Sequence, residues 1–362
     1  MFGISLEKDE TWQCADSSLC SGLTSVISFS HLVKMRLSLI CAVLCATATA
    51  DCLAYQCSEE SLPSGTCSVQ ANSTVYLQPC DSDQVCNLTT SQCASANNSK
   101  AGAWPGEPCS HSNPCLSGNC NAGYCVGQPV NATCGHNTDC NPGLFCSYSQ
   151  CVPQLESLAG PCESDFDCVN SAGCSAGLCT DYFSLPPGSA VDGCDDGFMY
   201  HHLCESFACY RGKCVPTIHS LSPAPTNCSS EFDCQGRARG GSITFFTACE
   251  CGFNPYGDSY CNLFPGDPDV QNAKLCLKNW LFGEMSRQCN TERRFADSCI
   301  QSFWDEPDYS ELAVYMYRAN LYPKLVENDD CVQEMLTDFY WDIIDSHDDW
   351  GLWLALPALA LV

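Results

Sequence analysis

Apolar positions are distributed unevenly along this chain. From Phe264 to Asp349 they recur with a helical period. Ala273, Cys276, Leu277, Trp280 and Leu281 fall on one face after a Pro268-Asp269 start. Phe295, Cys299, Ile300, Phe303 and Trp304 form a second face, with Thr291 as its expected N-cap. Leu312, Tyr315, Met316, Ala319 and Tyr322 form a third. Val332, Met335, Leu336, Phe339, Tyr340 and Ile343 form a fourth, capped by Asp329 or Asp330. The pattern predicts a small four-helix domain over 264–349. Its aromatic stripes form the core, and Cys276, Cys289, Cys299 and Cys331 supply two staples.

Upstream the periodicity disappears. Between Ala94 and Cys214, Leu, Ile, Val, Phe, Met and Trp supply 19 of 121 residues, against 25 of 86 between Phe264 and Asp349. A charged chain so poor in apolar side chains does not bury enough surface to offset its ordering entropy. What recurs there is cysteine. Cys134, Cys140, Cys146 and Cys151 have gaps of five, five and four residues, and Cys162, Cys168, Cys174 and Cys179 repeat them. Cys109, Cys115, Cys120 and Cys125 run five, four, four; Cys194, Cys204, Cys209 and Cys214 run nine, four, four. Cys80, Cys86 and Cys93 begin another unit, and Cys228 with Cys234 opens a last one. Such repetition identifies tandem modules. Two bridges per unit, each contributing about 2–4 kcal/mol, take the place of a core. Four Cys allow three pairings, and spacing does not choose among them. Gly118, Gly123, Gly143, Gly173, Gly177 and Gly212 precede later cysteines, as tight turns and close backbone approach require.

Two apolar runs lie outside these regions. Residues 35–50 read MRLSLICAVLCATATA, with Lys34 and Arg36 as n-region and Ala48-Thr49-Ala50 as a cleavage site before Asp51. This is the layout of a secretory signal peptide. Residues 1–34 then read as an upstream extension of the gene model before a start at Met35, or else as an unusually long n-region. The chain ends in WGLWLALPALALV, thirteen residues without charge. Three readings compete for residues 350–362: a truncated membrane helix, since a full span needs about 20 residues; a lipid-anchor signal with Ser346 as attachment site; and a tail packed on the helical domain.

Composition sharpens the picture. The 362 residues include 35 Cys, a density that marks a disulfide scaffold in an oxidising compartment. Acidic residues outnumber basic ones 42 to 15, for a net charge of −27. Such a polyanion repels nucleic acid and anionic membrane surfaces. Lys100 is the only cation between Asp51 and Tyr210, which suggests a strongly anionic rod. Sequons occur at Asn72, Asn87, Asn97, Asn131 and Asn227, all after Asp51. Cleavage after Ala50 leaves 31 Cys, an odd number, so one thiol stays unpaired or bonds another chain. The five-cysteine block Cys228 to Cys261 is one place to look for it.

The stretch CESDFDCVNSAGCSAGLC (Cys162 to Cys179), supported by CNPGLFCSYSQC (Cys140 to Cys151), resembles the cysteine-rich module of the Dickkopf N-terminal type. Such modules recur in tandem in surface proteins of single-celled eukaryotes. Dickkopf proteins are extracellular ligands in Wnt signalling, but nothing in this chain matches their C-terminal domain, and that activity is not carried over. Residues 249–261, CECGFNPYGDSYC, resemble the closing hairpin of an EGF-like module, with three residues instead of two between Gly257 and the last Cys.

Catalytic and metal-binding motifs are absent from the sequence. No C-x-x-C occurs despite 35 Cys, nor H-E-x-x-H, G-x-S-x-G or a P-loop. His201 and His202 are adjacent, so their side chains diverge, and an exposed loop is expected. Asp165 with Asp167, or Asp81 with Asp83, is the pair a Ca²⁺ ion would use with backbone carbonyls; short acidic turns more commonly cap backbone N–H groups. No cofactor follows from the sequence.

The expected fold class is thus small disulfide-rich tandem modules of short β-hairpins and loops, followed by a disulfide-stapled helical domain. The organisation runs 51–104 for an N-terminal cysteine-rich module, 105–227 for tandem repeats, 228–263 for an EGF-like last module, then 264–349 and the tail. The expected function is non-enzymatic binding or adhesion at the cell surface or outside the cell, with an extracellular protein or glycan as partner and the modules forming a semi-rigid stalk or a ligand-binding array. A disulfide-crosslinked wall, cyst or surface coat is the alternative. An enzyme with its site in the helical domain, for example at Asp305 and Glu306, is a remote third.

Overall fold

The computed structural model describes residues 52–81, 84–88, 90–95, 102–194, 198–325 and 330–336, all in a unit that begins at Asp51. Residues 35–50, Asn97 and the tail 350–362 lie outside the described residues. The architecture is a series of two- and three-stranded sheets stapled by 15 disulfides, followed by helices. The fold class read from the sequence is the one observed.

Six units share one connectivity, first Cys to third and second to fourth. They are Cys67–Cys86 with Cys80–Cys93, Cys109–Cys120 with Cys115–Cys125, Cys134–Cys146 with Cys140–Cys151, Cys162–Cys174 with Cys168–Cys179, Cys194–Cys209 with Cys204–Cys214, and Cys228–Cys249 with Cys234–Cys261. The reason is visible in the hairpins. The third and fourth cysteines lie opposite each other on adjacent strands, as Cys146 and Cys151 or Cys174 and Cys179 do. Both therefore face the loop before the hairpin, and each bonds a cysteine of that loop. A hairpin of four residues a side, too small to be stable alone, is stitched to its own approach segment. The first unit starts at Cys67, not Cys80, and the last closes with Cys249 and Cys261.

The hairpin loops contain two residues, both at positive φ: Ala122-Gly123, Tyr148-Ser149, Ala176-Gly177 and Arg211-Gly212. This is the turn whose twist matches paired strands. Three loops place Gly second, while Ser149 has φ 62 with a Cβ. A left-handed conformation costs a non-Gly residue about 1–2 kcal/mol, partly offset because Gly loses more entropy on folding. Ser149→Gly is expected to raise stability by about 0.5–1 kcal/mol, read from denaturant unfolding with disulfides intact. An unchanged or lowered midpoint contradicts that account of the turn. Gly173 serves the other purpose foreseen for glycine: a Cβ there would lie 2.9 Å from the Asp165 carboxylate and the Tyr182 ring.

Three helices follow: α1 (Pro268–Phe282), α2 (Asp297–Phe303) and α3 (Glu306–Asn320). A further helical stretch covers 330–336. Val270, Ala273, Leu277, Trp280 and Leu281 form the buried face of α1, and Leu312, Met316 and Ala319 that of α3. Two expectations need correction. Thr291 does not cap α2, because Thr291–Arg293 is a separate 3-10 turn capped by Asn290. Only Cys289–Cys299 staples the helical region internally; Cys331 bonds Cys57, and Cys276 is free.

The stalk is also corrected. One hydrophobic cluster joins Tyr55, Val75 and Leu77 of the N-terminal module, Phe183, Leu203 and Phe207 around the fifth unit, and Leu277, Trp280, Ile300 and Met316 of the helices. The third and fourth units hold only small clusters of three cysteines and one other side chain each. There disulfide sulfur does replace an oily interior. The first and fifth units instead share the core of the helices. Cys52–Cys251 and Cys57–Cys331, spanning 199 and 274 residues, close the N-terminal module onto the later part of the chain. The repeats are therefore not beads on an extended rod.

Candidate functional site

The most elaborate polar arrangement lies between the repeats and residues 286–298. This segment follows α1 and is anchored by the Trp280 indole, which donates to the Arg294 carbonyl oxygen at 2.8 Å. It reaches three consecutive units. Toward the second unit, Arg293 lies over the Trp104 ring at 5.1 Å and pairs with Glu107 at 3.5 Å, while Ser298 Oγ donates to the same carboxylate at 2.9 Å. Toward the third, Asn290 Nδ2 donates to the Asn137 and Cys140 carbonyls, each at 3.1 Å. Toward the fourth, Arg294 Nη2 donates to Asp165 O at 2.8 Å and Cys168 O at 3.3 Å. These are the equivalent carbonyls of two adjacent repeats, since Asn137–Asp139 and Asp165–Asp167 are matching 3-10 turns. An amide serves one and a guanidinium the other.

Arg294 is buried, 1% exposed, and its remaining donors are also satisfied. Nη1 reaches Ala172 O at 2.8 Å and Val169 O at 3.2 Å, and Nε reaches Thr291 O at 2.8 Å. Thr291 Oγ1 accepts from Nη2 at 2.6 Å and donates to Phe166 O at 2.7 Å. Asn170 completes the contact from the repeat side, donating to Ser286 O at 2.6 Å and Cys289 O at 3.1 Å. This clamp fixes the repeats relative to the helices. It was not foreseen from the sequence. Its available signal was a pair of arginines, Arg293-Arg294, in a chain so short of cations.

In the third, fourth and sixth units the acidic first gap is used by the unit itself. Asp139 Oδ2 accepts from the backbone N–H of Gly135 and His136 at 2.7 and 3.0 Å. Asp167 does the same for Glu163 and Ser164, and Asp233 for Ser229 and Ser230. Those bonds hold the Asp233 carboxyl below the usual carboxylate range. Asp165 accepts from Cys174 N at 2.7 Å and the Tyr182 hydroxyl at 3.2 Å. The oxygens that a Ca²⁺ ion would take at Asp165 and Asp167 thus already serve internal donors. Asp83 lies outside the described residues.

The other singled-out residues fall as follows. Asn72, Asn131 and Asn227 are exposed; Asn87 is half-buried, with Oδ1 accepting from Thr90 N at 3.0 Å. His202 is not on an exposed loop. Its ring packs against Phe207 and Phe295 at 5.2 and 5.0 Å, and burial pushes its pKa down to about 3, which keeps it neutral. Asp305 occupies the N-cap position of α3, while the Glu306 side chain lies outside the described residues. In 249–261 the hairpin forms, but Cys251 bonds Cys52, and Cys249 and Cys261 complete the sixth unit. The free thiol is thus not in the block Cys228 to Cys261. Among the described residues it is Cys276, half-buried on α1, where burial and then the charges of Glu311 and Asp308 push its pKa up to about 11.

Away from the clamp the modules present apolar side chains to solvent. Tyr148, at a hairpin tip, is 96% exposed, and Leu158, beside the fourth hairpin, is 81% exposed. Among the described residues no helix is long and apolar enough to cross a membrane. No family model, curated protein or solved structure matches the chain.

Proposed function

We propose that this is a non-enzymatic extracellular binding or adhesion protein, exported through the secretory pathway, whose disulfide-crossed modules present contacts from a fixed frame. The observation that carries this reading is the repeated first-to-third, second-to-fourth unit held against the helices by residues 286–298. Fifteen bridges suit an oxidising compartment. Loops pinned between bridges lose little entropy on binding, so they make effective contact surfaces. Likeness to Dickkopf N-terminal modules rests on cysteine spacing and supports the extracellular setting alone.

The test is an array of extracellular proteins and glycans probed with the native protein and with the same protein reduced and alkylated. Binding to a discrete set by the native form, lost after reduction, is expected. Equal binding by both forms contradicts the reading. A covalently crosslinked coat is the second reading, and Cys276 is its one candidate thiol among the described residues. A half-buried thiol with a raised pKa is a poor nucleophile at neutral pH. This favours clean monomers on a non-reducing gel.

A further inference from the structure

Of the seven exposed Lys and Arg among the described residues, four lie on two neighbouring hairpins and the other three in the helical region. With Lys100 the sole exception, no Lys or Arg occurs between Asp51 and Tyr210. Arg211 and Lys213 then mark the tip of the hairpin Ala208–Tyr210 and Lys213–Cys214, and Arg237 and Arg239 mark the strand Gln235–Ala238 and its loop. All four are exposed. Tyr210 packs edge-on against Phe245 at 5.6 Å, which brings the two hairpins together. Arg211 lies over the Tyr210 ring and Arg237 donates to Thr244 Oγ1; among the described residues none of the four forms an ion pair. Beside them Phe232 and Phe246 meet edge to face at 5.6 Å with Phe232 63% exposed, and Ile243 is exposed as well. The acids of this stretch are Glu231 and Asp233, and Asp233 is occupied by its own turn.

The fourth unit has the opposite character. Leu158 and Leu178 are both exposed there. The Leu158 N–H bonds Cys179 O at 2.7 Å, and the Gly160 backbone abuts the Leu178 side chain, so the two leucines lie on adjoining segments. Glu156 and Glu163 are exposed on the same segment, and the unit contains no cation.

We propose that the basic, aromatic hairpin pair of one copy docks on the acidic, leucine-bearing face of the fourth unit of a second copy. Charge complementarity within one chain is what selects a second copy as the occupant. The two surfaces differ, so the contact is heterologous and repeats into chains or rings. The net charge of −27 does not forbid it. At physiological ionic strength the Debye length is about 8 Å, so distant like charges are screened while facing Arg and Glu side chains in contact are not. The proposal rests on the reading of the modules as contact surfaces and names one partner for them.

The experiment is sedimentation velocity on the disulfide-intact protein. The wild type is expected to form species larger than a monomer at physiological salt and to dissociate in molar salt. Arg237→Glu with Arg239→Glu, and separately Glu156→Arg with Glu163→Arg, should each remain monomeric. A mixture of the two variants should restore association, because its reversed charges match. Three results overturn the proposal: a monomeric wild type at every concentration reached, charge variants that assemble like the wild type, or a mixture that stays monomeric. Arginine-dependent flotation of a monomeric wild type with phosphatidylserine vesicles also overturns it and assigns the hairpins to a membrane surface. None of these outcomes bears on reduction-sensitive binding to the arrays, so the failures of the two readings are distinguishable.

Discussion

Replacing Arg294 by methionine is expected to destabilise the protein by about 3–5 kcal/mol, because several buried acceptors lose their donor at once and each buried polar group left unsatisfied costs about 1–3 kcal/mol. The guanidinium is held by the carbonyls of Asp165, Cys168, Val169, Ala172 and Thr291 and by Thr291 Oγ1. Methionine fills similar volume but donates nothing, so these oxygens lose a buried donor together. The unfolding midpoint should fall with disulfides intact. Hydrogen exchange should rise over 286–298 and in the fourth unit, while the sixth unit changes less. Arg287→Met, at an exposed neighbour, serves as control and should stay within about 0.5 kcal/mol. If both substitutions cost the same small amount, the clamp does not hold the repeats.

Loss of the longest bridge should cost as much or more. Cys57→Ser with Cys331→Ser opens a closure spanning 274 residues. Chain-entropy bookkeeping gives about 5.6 kcal/mol for a loop of that size, and measured losses of native disulfides run about 2–5 kcal/mol. The effect should exceed that of opening Cys115–Cys125, whose loop spans ten residues. Unfolding of the two double variants side by side reads the difference. Equal costs would show that the N-terminal module is not tied to the helical region through this bridge.

What was legible in the sequence was local. Gaps of four and five residues between cysteines report hairpins, because a hairpin of that length brings its last two cysteines opposite one another. The two units of identical spacing therefore stood out. The first unit did not, because Cys67 and Cys80 are separated by the longer approach strands Ser68–Ala71 and Thr74–Leu77. The faces of α1 and α3 were legible for a similar reason, since 3.6-residue periodicity is a property of one segment. The partners of Cys52, Cys57 and Arg294 were not. They depend on how distant segments come together, and neither spacing nor periodicity encodes that. The stalk expectation failed at this point. It extrapolated local modules into a global shape, whereas the N-terminal and fifth modules share apolar contacts with the helices. His202 failed likewise, because its aromatic neighbours Phe207 and Phe295 come from different segments.

The account stands on crosslinks formed in a fixed pattern, and peptide mapping of the purified, unreduced protein by mass spectrometry tests it most directly. The account predicts crossed pairs in all six units, Cys52 joined to Cys251, Cys57 joined to Cys331, and Cys276 as a free thiol. Bridges between the third and fourth cysteines of the units, or a protein that yields many free thiols, would contradict it.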